Sequence, residues 1–63
     1  MRGTLHISYS ERGYVWWIAL GYGISIDQHN YSYKTIQAAR RAAVRFVMKL
    51  ELELDREEIH EEV

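Results

Sequence analysis

The sequence contains no cysteine and no proline. Without cysteine, neither a disulfide framework nor a thiolate metal site can support a chain of 63 residues, a length near the lower limit for a single hydrophobic core. Stability must then come from close packing or from oligomerisation. The absence of cysteine is compatible with a reducing compartment. No basic-then-apolar leader pattern opens the sequence, and no apolar run approaches a membrane span. The expectation is one soluble, cytoplasmic domain.

Enzyme signatures are lacking as well. His6, Ser8 and Asp27 are the residue types of a nucleophilic triad, but such residues occur together on any solvated sheet face. His29 and His60 lack metal-ligand spacing, and Gly21-Tyr22-Gly23 is too short to cradle a phosphate. The carboxylates of the last stretch read as a helix surface, not as an acid/base pair in a cleft. No catalytic residue, metal or cofactor is expected.

What the chain does have is a charge asymmetry hidden by its net charge of −1. Residues 1–50 carry seven basic side chains (Arg2, Arg12, Lys34, Arg40, Arg41, Arg45, Lys49) against Glu11 and Asp27. Residues 51–63 carry seven acidic side chains against Arg56. A basic module, 1–50, is thus followed by an acidic helical extension, 51–63. The basic part should attract an anion, either nucleic acid or the chain's own tail.

Hydrophobic periodicity sets the expected fold. Residues 4–9 alternate, with Leu5, Ile7 and Tyr9 on one side and Thr4, His6 and Ser8 on the other. Turn chemistry at 10–13 leads to the β-branched and aromatic run 14–20. Gly21-Tyr22-Gly23 turns the chain again into 24–28. From Tyr33 the period changes: Thr35 is an N-cap, and Ile36, Ala39, Ala43, Phe46 and Leu50 form a helical stripe. After Leu50 the run LELEL alternates like a strand, although leucine and glutamate are strong helix formers and neither glycine nor proline interrupts them. The favoured expectation is α+β: a three-stranded antiparallel sheet (about 4–10, 14–20, 24–28) on one long C-terminal helix (about 35–60). A restarted helix at Asp55 is the alternative.

Such a helix would span about 39 Å against roughly 23 Å for a seven-residue strand. Its overhang would carry a second apolar stripe, Met48, Leu52, Ile59 and Val63. That stripe is expected to be a homodimer contact.

The adjacent tryptophans then separate. Trp16 falls in register with Tyr14, Ile18 and Leu20 on the face the helix must cover. Trp17 joins His6, Ser8, Val15, Ala19, Ser25 and Asp27 on the open face, as its large aromatic. An exposed tryptophan among small residues is a contact site. Arg41, Arg45 and Lys49, at i, i+4 and i+8, form a basic helix row that could track phosphates, as could Arg12. The partner or nucleic-acid contacts expected are therefore Trp17, Val15, His6, Ser8, Arg12, Arg41, Arg45 and Lys49.

RGY at 12–14, Trp16, the glycine turn, and YKT at 33–35 leading to an alanine-rich helix ending in Phe46 carry a family resemblance. Over about residues 7–50 the chain resembles the three-stranded-sheet-plus-helix DNA-binding domains of tyrosine integrases and plant ethylene-response factors. The likeness rests on Gly13, Tyr14, Trp16, Tyr33, Thr35, Ala38, Ala42 and Phe46. It implies that the open face reads the major groove, through His6, Ser8, Val15, Trp17 and Ser25. That face, however, bears no arginine or lysine on its expected strands, and Asp27 lies at its edge. The expectation is a small non-enzymatic regulatory or accessory protein of bacterial, phage or mobile-element type. It would act through protein–protein contacts and homodimerisation, with DNA binding by the open face as the alternative.

Overall fold

Strand β1 (Arg2–Ser10) and strand β2 (Gly13–Gly21) form an antiparallel hairpin in register from Thr4↔Ala19 to Ser10↔Gly13. A short third strand, β3 (Ile24–Asp27), adds antiparallel to β2. Helix α1 (Ile36–Lys49) crosses the sheet, and strand β4 (Glu53–His60) returns parallel to β1. The order across the sheet is β3-β2-β1-β4. The structure is a computed structural model and describes residues 2–27 and 31–60.

The expected three-stranded antiparallel sheet with a helix over about 35–60 is thereby corrected. The sheet has four strands and is mixed, and the helix is short and lies in the middle of the chain. No acidic helical extension forms within 51–60, because the alternation of LELEL decides over helix propensity. Leu52 and Leu54 pack against the core, and the second edge of β1, otherwise unpaired, gains a full ladder.

The helix stop explains why its sequence signal is faint. Leu50 N–H donates to Phe46 O (3.1 Å), Glu51 N–H to Met48 O (3.3 Å) and Leu52 N–H to Val47 O (3.0 Å). This is the Schellman pattern, in which the residue after the cap turns left-handed. Glycine usually fills that position, but here Glu51 holds φ +56°. Glu51→Gly should therefore raise stability by about 0.5–1 kcal/mol. An unchanged or lowered denaturant midpoint would refute this cap.

At the other end, Thr35 Oγ1 accepts from Ala38 N–H at 3.1 Å. Between the ends, Ala39, Ala43 and Val47 are buried, small enough for α1 to lie close over β1 and β2. From the sheet they meet Leu5, Ile7, Trp16 and Ile18. Trp16 packs on Phe46 with ring centroids 5.6 Å apart. Its Nε1 has no hydrogen-bond partner among the described residues, a cost that only the large apolar burial of the indole offsets.

One irregularity in β4 decides which side chains share a face. Gly3 pairs with Leu54 but Thr4 with Arg56, so Asp55 is an extra residue, a bulge. A shift of one residue exchanges faces. Beyond the bulge, Glu57 and Ile59 point to the helix side, while Arg56, Glu58 and His60 point to the open side.

Candidate functional site: the open face of the sheet

All of α1 lies on one face of the sheet, and no described element covers the other. On β2, Trp17 is flanked by Val15 and Ala19; on β1, His6 stands directly opposite Trp17, and Ser8 opposite Val15. Ser25 and Asp27 on β3 complete one side, with Asp27 opposite Trp17. The expected residues Trp17, Val15, His6, Ser8 and Ser25 thus lie on one surface, and β4 contributes three more.

His60 is the addition of consequence. The His6 ring lies 5.0 Å from the Trp17 ring at 8°, and His60 lies 5.8 Å from it at 11°. His6 Nδ1 and His60 Nε2 are 2.9 Å apart, while the ring centroids are 5.2 Å apart and inclined by 16°. The two distances differ by about one ring diameter, so the N···N vector runs along both rings. This is an in-plane hydrogen bond sharing one proton, with each imidazole donor or acceptor according to tautomer. The Trp17 ring, half-buried, stacks on this imidazole pair. Three aromatic rings from β2, β1 and β4 make one platform.

The cations of this face are paired. Two arginines lie on the four strands' open side, each held by carboxylates of β4. Arg56 meets Glu58 at 3.2 Å, and Arg2, in step with Thr4, His6 and Ser8, reaches Glu53 and Asp55, each at 3.6 Å. On the helix side, Arg40 holds Glu57 through two nearly parallel bonds, Nε–Oε1 at 2.6 Å and an Nη2–Oε2 bond at 3.1 Å. The hydrogen bond that Arg40 donates to Glu57, then the charge of Glu57, raises the Arg40 pKa above the ordinary arginine value. The acidic strand thus neutralises Arg2, Arg40 and Arg56, and not the helix row.

Other expected contacts fall apart from the platform. Arg12 is exposed in the β1–β2 turn, where its carbonyl accepts from Ser32 Oγ at 2.9 Å. Arg41, Arg45 and Lys49 are exposed on α1, across the sheet from Trp17. The expected dimer residues do not form a helical stripe. Met48 is exposed on α1, Leu52 faces the core, Ile59 lies half exposed on β4, and Val63 falls outside the described residues. Among the described residues no group of three or more histidine, cysteine or carboxylate side chains could hold a metal, and no helix is long and apolar enough to cross a membrane.

The fold and this face define a small α+β domain with a one-sided, aromatic sheet surface. No family model, curated protein or solved structure matches the chain.

Proposed function

We propose that this chain is a non-enzymatic accessory or regulatory binding protein that engages another protein through the open face of its sheet. The observation that carries the reading is the Trp17–His6–His60 platform on a face that no described element covers. Rigid aromatic groups ringed by small polar side chains are the usual anchors of protein interfaces, since they bring contact area at little entropic cost. Direct reading of DNA by the same face is disfavoured by its charge. Its two arginines, Arg2 and Arg56, are engaged by carboxylates of β4, and Asp27 sits opposite Trp17, so phosphates find no unpaired cation there.

Peptides selected from a random display library on the immobilised protein test this reading. Those that bind the platform should lose roughly tenfold or more in affinity against Trp17→Ser, while thermal unfolding of that variant stays cooperative. Selected peptides indifferent to Trp17→Ser, or a low-salt gel shift of duplex DNA abolished by Trp17→Ser, would overturn it. Sedimentation addresses the case in which the partner is a second copy. A single-chain mass, unchanged in Trp17→Ser, assigns the face to a different protein.

A further inference from the structure

Helix α1 carries Arg40, Arg41, Arg45 and Lys49 and no acidic residue. Of these only Arg40 is held by the acidic strand, through Glu57. Among the described residues Arg41, Arg45 and Lys49 make no ion pair, so a line of three cations about 12 Å long faces solvent. Beside it runs an open groove of about 270 Å³, lined by Arg40, Arg41, Val44, Arg45 and Met48. Met48 is 74 % exposed there.

We propose that this groove is a second docking surface, and that its occupant is a short acidic segment of another protein carrying an apolar anchor. Its carboxylates pair with Arg41, Arg45 and Lys49, and its anchor lies on Val44 and Met48. Three features select that occupant. The row is complementary in charge and mostly arginine, whose planar fork grips a carboxylate with two bonds. The floor is apolar and includes an exposed methionine, an adaptable contact that a merely solvated charge row has no use for. A long polyanion fits worse than a short segment. The domain measures 31 × 21 × 19 Å, and its β4 edge carries Glu53, Asp55, Glu57 and Glu58. Those four carboxylates outnumber the three arginines they engage, so a long polyanion gains no attraction beyond the row. The row's length of about 12 Å suits a short segment.

The test uses the full chain and a fluorescein-labelled amphipathic peptide of glutamate and leucine, read by anisotropy. The controls are an all-glutamate peptide and a labelled DNA duplex longer than the domain. The amphipathic peptide should bind more tightly than either control. Arg45→Glu and Met48→Ser should each weaken it, Arg45→Glu by roughly tenfold or more. Both sites are exposed, and a cooperative melt of each variant excludes unfolding as the cause. Added salt should weaken the interaction severalfold without abolishing it. Trp17→Ser should leave it unchanged, which separates this surface from the platform on the other face. Tighter binding of the duplex would assign the row to nucleic acid instead and overturn the proposal. So would no binding of the amphipathic peptide, equal binding of the all-glutamate peptide, or indifference to Arg45→Glu.

Discussion

A chain ended after Leu50 should not fold. From sequence periodicity, the residues beyond that point look like a detachable acidic helix whose loss would leave a soluble βββα module. In the structure they are an edge strand. Their removal strips β1 of its register from Arg2↔Glu53 to Ser8↔His60 and takes Leu52 and Leu54 off the core. A domain of this size is stable by only about 3–9 kcal/mol. Two partly buried leucines contribute roughly 1–2 kcal/mol each, and the bared β1 edge leaves its backbone groups without protein partners. The expected result is a circular dichroism melt with no cooperative transition. Leu54→Asp should strongly destabilise the intact chain in the same direction. A truncated chain that melts cooperatively would show β4 to be dispensable.

Gly13→Ala should be nearly as damaging. Gly13 sits at φ +129° where the β1–β2 turn closes, and a Cβ there would lie 2.6 Å from Tyr33 O. The atom in the way cannot give, because the two backbones are joined by Tyr14 N–H to Tyr33 O at 2.7 Å and Tyr33 N–H to Tyr14 O at 2.8 Å. This bridge fastens the segment entering α1 to the start of β2. The substitution combines unfavourable φ with loss of that fastening, on the order of 3–5 kcal/mol. Gly23→Ala provides the comparison. Gly23 has φ +76° but nothing within 4 Å of the added carbon, so only the backbone term, about 1–2 kcal/mol, should appear. Equal losses at the two positions in chemical denaturation would mean that the Tyr33 contact contributes nothing.

The parts of the fold that the sequence makes legible are those where one local rule acts unopposed. Alternation at 4–9 and the aromatic run at 14–20 bring Leu5, Ile7, Trp16 and Ile18 into the core and set Trp17 on the other side. Thr35 marks the helix start because a threonine there has little else to do than cap. The helix end is hidden because Glu51 occupies a left-handed position without the glycine that normally advertises it. His60 is hidden for a different reason. Its face depends on the bulge at Asp55, and a bulge is settled by pairing with β1, some fifty residues earlier, not by any neighbour in sequence. The charge pattern was half legible. Opposed basic and acidic stretches are plain in the composition, but which cations the acids engage is decided by strand register and by the face that Glu57 presents to Arg40.

The parallel pairing of β1 with β4 has a consequence during translation. β1 is synthesised about fifty residues before its β4 partner, an interval of roughly 3–10 s at typical elongation rates. Until β4 emerges and docks, the β1–β2 hairpin can exist with one side of β1 bare, and a bare strand edge is a template for any extended chain nearby. The hazard falls on neighbouring nascent chains of one polysome, which present the same edge at high local concentration.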